Sequence, residues 1–144
     1  IAADKAIKIH FIPDATLPRL PLDSREMQQA VRKLFTNAIH YTPSGGRIEA
    51  RTCQVDGSAI FEIKDTGVGI PPDKLNHIFE LFYRADEARG MDTGGIGMGL
   101  TICQRIVQGH DGKIEVESQP GVGTTFRIFL PVKTLSAVGA ASAV

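Results

Sequence analysis

Apolar residues in this chain recur with two different periods, and the switches between them mark its elements. From Ala6 to Ile12 (AIKIHFI) apolar and polar positions alternate, with Ile7, Ile9 and Phe11 on one face, which predicts a half-buried strand with His10 as a surface or edge side chain. The following PDATLPRLP is a proline-broken connection. Asp23, with Glu26 three positions on, gives a capping-box-like helix start. Met27, Val31, Leu34, Phe35 and Ala38 then form an apolar helical face, which Pro43 and Gly45-Gly46 bring to an end. At helical spacing, Lys33, Asn37, His40 and Tyr41 make a second stripe beside it. Alternation returns in Arg47–Val55 and Ser58–Lys64 around Asp56-Gly57, the pattern of a hairpin.

The second hairpin strand runs into Asp65-Thr66-Gly67-Val68-Gly69-Ile70. Pro71-Pro72 then precede a short helix containing Leu75, Ile78, Phe79 and Phe82. Tyr83 to Met98 is polar and glycine-rich with no sustained period, a loop of a length that usually serves function. A helix is expected from about Gly99 to His110, stopped by Asp111-Gly112. Two strands follow, Lys113–Ser118 and Thr124–Pro131, joined at Pro120-Gly121, and residues 132–144 read as a frayed tail. The order β-α-β-β-α-loop-α-β-β points to the α/β class: a two-layer α/β sandwich with helices over one face of a mixed, mainly antiparallel sheet.

A length of 144 residues suits one domain, and 42% hydrophobic with 22% charged residues is globular composition. Basic and acidic side chains balance at 16 each, so a broad nucleic-acid footprint is not expected. Cys53 and Cys103 stand far apart without a metal-ligand pattern and read as small buried residues. No apolar run reaches the ~18 residues of a membrane span, so no membrane contact by this chain is expected. Because the chain starts at Ile1 and not Met, it reads as a piece of a larger protein, with any anchor outside it.

The familiar phosphate-binding templates fail on spacing. Gly112-Lys113 is followed by Ile114, with Val107 where a P-loop needs its first glycine, and the 94–99 run Gly-Gly-Ile-Gly-Met-Gly is not G-x-G-x-x-G. A different constellation remains. Gly94, Gly95, Gly97 and Gly99 precede a helix whose N-terminus offers free N–H groups and a positive dipole end. Asp65 stands at a strand end, where a carboxylate can accept from an adenine amine while Gly67 and Gly69 let the base approach. Asn37 can ligate Mg²⁺ through its amide oxygen or donate to a phosphate. Taken singly, these features also fit a linker, a capped turn and a solvated helix face.

Together, LFTNAIHYTP, DTGVGIP, IFELFYR, GGIGMGLTI and GVGTTF resemble, in order and spacing, the asparagine, glycine and phenylalanine boxes of sensor histidine kinases, from about Ala3 to Pro131. The resemblance implies the Bergerat fold shared with DNA gyrase and MutL ATPases, here over residues 1–131. It implies ATP and Mg²⁺ as cofactors, and transfer of the γ-phosphoryl group to a histidine on a separate dimerisation domain and then to a response-regulator receiver. It assigns Asp65 to adenine reading, and Gly67, Gly69, Ile70, Gly95, Gly97, Gly99, Leu100, Tyr41 and Thr124 to the nucleotide. Asn37 falls to Mg²⁺ and phosphate, and Arg84 to the γ-phosphate. Phe79 and Phe82 match loop-anchoring aromatics, which are equally ordinary core. A cytoplasmic location and a monomeric isolated domain go with this reading.

The chain departs from that pattern at two positions. Lys33 stands where many relatives carry a second asparagine, so it either contacts phosphate itself or points to solvent and leaves the metal less firmly held. Gyrase-like ATPases place a general-base glutamate there; a protonated lysine cannot act as one, which argues against efficient hydrolysis. His40 falls where many relatives carry a phosphate-facing lysine. None of His10, His40, His77 and His110 is in a plausible acceptor setting. The alternative to a kinase is a degenerate nucleotide-binding module that signals through ordering of its loop.

Overall fold

In a computed structural model of the chain, the structure describes residues 6–18, 20, 22–79 and 96–132, with the backbone alone for 96–99. Its elements are β1 (Lys8–Ile12), α1 (Ser24–Tyr41), β2 (Arg47–Val55), β3 (Ser58–Asp65), α2 (Pro72–Leu75), α3 (Ile96–Gly109), β4 (Lys113–Gln119) and β5 (Gly123–Pro131). The strands form one sheet in the order β1-β2-β3-β5-β4. Only the β1–β2 pair is parallel, because α1 is the crossover between those strands; hairpins and the return of β5 beside β3 make the rest antiparallel. The expected mixed, mainly antiparallel sheet under helices is the observed fold.

The helical layer sits over the middle of the sheet. Leu34, Ala30 and Ala38 of α1 and Leu100, Cys103 and Val107 of α3 meet Ile48, Ile63, Phe126 and Ile128 in one core. Each such leucine or isoleucine contributes about 1.5–3 kcal/mol by leaving water. Ala30 has no exposure, and the Cys103 thiol reaches its carbonyl at 3.6 Å, so the two helices meet across small side chains. Burial pushes the Cys103 thiol up to about 12, which keeps it an inert core group. The Asp23 carboxylate caps α1 by accepting from Glu26 N at 3.0 Å. Behind it, His110 Nε2 accepts from Asp23 N at 2.9 Å while Nδ1 lies 2.8 Å from Ile106 O. His110 is thus a strut between the end of α3 and the start of α1.

Four expectations need correction. β1 begins at Lys8 and is not half-buried: Ile9 and Phe11 are 44% and 59% exposed, and only Ile7 joins the core. β1 is the sheet's edge, and the helices pack over β3 and β4, so the covering layer stops short of it. Cys53 is half-buried, because it follows Arg47, Glu49 and Arg51 on the face of β2 turned away from the helices. There Glu62 pairs with Arg51 at 3.4 Å and Arg127 at 2.7 Å, an ionic row that a solvated sheet face allows. The short helix ends at Leu75; Ile78 and Phe79 lie in the turn beyond it, with the Phe79 carbonyl satisfied by the Thr101 hydroxyl at 2.7 Å. Finally, α3 begins at Ile96, not Gly99. Glycine costs about 1 kcal/mol in a helix, which made the later start the natural reading, but the packed stretch from Leu100 onward extends the helix back through both glycines.

Candidate functional site

Asp65 closes β3 on the helix-covered face, because it alternates with Ile63 and Phe61. It pairs with Thr124 of β5, which pairs in turn with Ser118 of β4, so the three side chains form one row across three strands. Asp65 is 5% exposed. Its Oδ1 accepts from Gly67 N at 2.8 Å and Thr124 N at 3.2 Å, while among the described residues nothing donates to Oδ2. Burial raises its pKa above the ordinary 3.8, and the two backbone hydrogen bonds pull the other way without cancelling that rise.

The loop after Asp65 is held on two sides. Toward α1, Val68 N donates to Tyr41 O at 3.2 Å, and a Cβ on Gly67 would lie 2.5 Å from that same carbonyl oxygen. Toward the β4–β5 turn, Gly121 N donates to Val68 O at 2.8 Å and Ile70 N to Ser118 Oγ at 2.7 Å. Gly69 has φ +79° and its Cβ would strike the Gln119 carbonyl, so both conformation and space exclude a side chain there. Ser118 Oγ also lies 2.8 Å from Thr124 Oγ1 and 3.2 Å from Gly123 O. The loops of the two motifs DTGVGIP and GVGTTF therefore meet each other, and backbone N–H groups supply several of the bonds between them.

The α1 side is different. Lys33, Asn37 and Tyr41 are spaced one turn apart, and the C-terminal end of their stripe is where the Asp65 loop attaches. Asn37 is buried as a residue, but its amide keeps some access to solvent, and among the described residues no partner bonds it. Tyr41 is half-buried with the His40 ring edge-on to it at 4.6 Å. Lys33 is half-buried and shares a 350 Å³ depression with Arg25, Gln28, Gln29 and Arg32. Facing these residues, α3 packs on α1; Leu100 is buried, and Gly97 and Gly99 lie in the first turn, where a helix leaves N–H groups unpaired.

Of the residues singled out in the sequence, the fold thus gathers Asp65, Gly67, Gly69, Ile70, Tyr41 and Thr124 around one strand end. It puts Asn37 on the adjoining helix stripe and Gly97, Gly99 and Leu100 at the start of the helix packed against it. Arg84, Phe82, Gly94 and Gly95 lie outside the described residues. Phe79 packs edge-on to Phe126 at 6.3 Å, at the margin of the core. Sequence reading missed Ser118. The signal available was its place opposite Thr124 in a hairpin centred on Pro120-Gly121. Among the described residues no cluster of three His, Cys, Asp or Glu could hold a metal, and no helix is long and apolar enough to cross a membrane.

Comparison with known proteins points to one group. Residues 22–134 match the family described as histidine kinase-, DNA gyrase B- and HSP90-like ATPase. Over 107 residues, 74% of the chain, it is 44% identical to the sensor histidine kinase RppB of Synechocystis, and over 109 residues it is 42% identical to the sensor protein SrrB of Staphylococcus aureus. It spans only 24% and 19% of those two proteins' lengths. Its fold is similar to the mycobacterial sensor histidine kinase MprB, with TM-score 0.76 and 33% identity over 90% of this chain and 87% of that one. It is also similar to full-length ShkA in complex with AMPPNP, with TM-score 0.77 and 29% identity over 90% of this chain and 26% of that one.

Proposed function

Since this chain belongs to the histidine kinase-, DNA gyrase B- and HSP90-like ATPase family, we propose that it is the part of a sensor histidine kinase that holds Mg²⁺-ATP and presents the γ-phosphoryl group to a histidine. The acceptor is a dimerisation domain of the same parent protein, and a response-regulator receiver takes the group onward. Such a domain works in the cytoplasm, where ATP and the receiver are.

The observation that carries the reading is the divided carboxylate of Asp65. One oxygen is consumed by two backbone N–H groups, which fixes its plane, and the other has no described donor. An acceptor held this way, beside two glycines, Gly67 and Gly69, where no side chain fits, suits the exocyclic amine of adenine. The ligand in the ShkA complex, an ATP analogue, agrees with it.

The phosphates then extend along the Lys33–Asn37 stripe toward the first turn of α3, whose unpaired N–H groups suit anionic oxygens. Mg²⁺ is commonly held by one or two protein ligands together with phosphates and waters. The Asn37 amide, without a partner among the described residues, therefore fits as its protein ligand, and no larger cage is needed. The metal supplies charge neutralisation when bound. Lys33 adds a fixed positive charge one turn away and offers no general base, so water attack is unassisted there. Arg84 is proposed to reach the γ-phosphate.

The test uses ATP labelled in the γ-phosphate, mixed with this chain and its parent's acceptor domain. The expected product is acid-labile, base-stable phosphohistidine on the acceptor. Tight ATP binding without any label would make the chain a nucleotide-binding module, and absence of ATP binding would overturn both readings.

A further inference from the structure

The row Asp65–Thr124–Ser118 ends in a hydroxyl with more neighbours than protons. Ser118 Oγ lies 2.7 Å from Ile70 N, 2.8 Å from Thr124 Oγ1 and 3.2 Å from Gly123 O. A serine hydroxyl has one proton and two lone pairs. Ile70 N–H can only donate, so it takes a lone pair. Gly123 O can only accept, so it competes with Thr124 Oγ1 for the single serine proton. The Thr124 contact falls at the usual O–H···O separation of about 2.7–2.8 Å, whereas the Gly123 contact exceeds the ordinary range of about 3.0 Å. Distance makes Thr124 the nearer acceptor, while the reverse chain, Thr124 donating to Ser118 and Ser118 to Gly123 O, fits the same contacts. A ligand that accepts from Thr124 selects the first arrangement, in which Ser118 holds a lone pair of Thr124 and the threonine's own proton is left for that ligand, since no other described group bonds Thr124 Oγ1.

We propose that Ser118 is a positioning residue of the nucleotide site, which sets the Thr124 hydroxyl as a hydrogen-bond donor to a ring nitrogen of the base, beside Asp65 as acceptor. Donor next to acceptor is the complement of the adenine edge, where a ring nitrogen accepts next to an amine that donates. The same serine anchors the Asp65 loop through Ile70 N, so the polarity of the site and the position of its loop depend on one side chain. This rests on the reading of Asp65 and Thr124 as adenine contacts given above.

The test is calorimetric affinity for ATP, 1-deaza-ATP and 7-deaza-ATP, in which a ring nitrogen becomes C–H. It compares wild type with Ser118→Ala, Ser118→Thr and Ser118→Cys, with thermal melting of each. Wild type should bind one of the two deaza analogues about tenfold more weakly than ATP. Ser118→Ala should bind ATP about tenfold more weakly and no longer distinguish that analogue, and Ser118→Thr should restore both. If the alanine variant does not fold, Ser118→Cys, with its weak donor, should give the same loss of discrimination. Equal loss for all three nucleotides would show a merely structural serine and overturn the proposal, as would unchanged ATP affinity or a wild type indifferent to both analogues. Asp65→Asn separates the two readings: loss of ATP affinity there, with indifference to both deaza analogues, overturns the Ser118 role and leaves the adenine reading standing.

Discussion

The two ends of the candidate nucleotide site are built on opposite plans. At the strand end, Asp65, Ser118 and the loop to Ile70 are tied by hydrogen bonds that include those to Gly67 N, Thr124 N, Ile70 N, Gly121 N and Tyr41 O. At the helix end, Asn37 is buried as a residue but its amide has no partner among the described residues, and the first turn of α3 is where a helix leaves N–H groups without intrahelical partners. The difference shows where each kind of selectivity resides. Reading a base requires a fixed acceptor in a fixed plane, and every ordering cost removed beforehand improves discrimination. Handling phosphates requires polar groups that are still free, because their partners arrive with the ligand and change as a phosphoryl group leaves.

The largest effect should come from forcing a side chain into the tied end. Gly69→Ala must adopt φ +79° and meet the Gln119 carbonyl, so it should cost about 3 kcal/mol of unfolding free energy in urea titration. Gly109→Ala is the control: it has open space and no positive φ, and should change stability by less than about 0.5 kcal/mol. Similar costs for both would mean that the strand end is not held as described.

Next is the free end. Asn37→Ala removes an amide that has no partner among the described residues, so stability should move by less than about 1 kcal/mol. ATP affinity in Mg²⁺ should fall about tenfold, with adenosine affinity unchanged. Equal loss for adenosine would erase the distinction between the ends.

The smallest expected effect is in pH. Asp65 holds its proton above the ordinary 3.8 because burial outweighs its two hydrogen bonds. In the unfolded chain it ionises at the ordinary value, so between the two values the native state binds more protons, and wild-type stability falls as pH rises through that interval. Asp65→Asn has no such titration. Its stability relative to wild type should therefore climb across the interval and level off above it; a flat or descending difference in urea midpoints would contradict the burial argument.

Much of this was legible in the sequence for reasons that are local. The Asp23 cap, the Asp56-Gly57 turn and the alternation of the four hairpin strands are short-range physics, and those elements appear where the residues put them. Asp65, Gly67 and Gly69 could be singled out because five motifs together resemble one family; alone, a strand-end carboxylate followed by glycines also fits a capped turn. The failures are tertiary. Ile9 and Phe11 alternate correctly, but no periodicity reports that β1 is an uncovered edge. Gly97 looked like loop because propensity ignores the packing of Leu100 and Cys103. Ser118 carries no local mark at all; only the register opposite Thr124 brings it to Ile70.

The central claim is that Asp65 presents a fixed acceptor to adenine, and Asp65→Asn tests it with unusual precision. Gly67 N and Thr124 N both need an acceptor at the Oδ1 position, so the asparagine carbonyl must face them and its NH₂ must take the Oδ2 position. The substitution thereby exchanges acceptor for donor at one point without disturbing the backbone. The direct measurement is calorimetric affinity of wild type and Asp65→Asn for ATP and for ITP, whose base carries a carbonyl in place of the amine. ATP affinity should fall about 100-fold and the preference should turn toward ITP. Unchanged ATP affinity, or equal loss of both nucleotides, would contradict it.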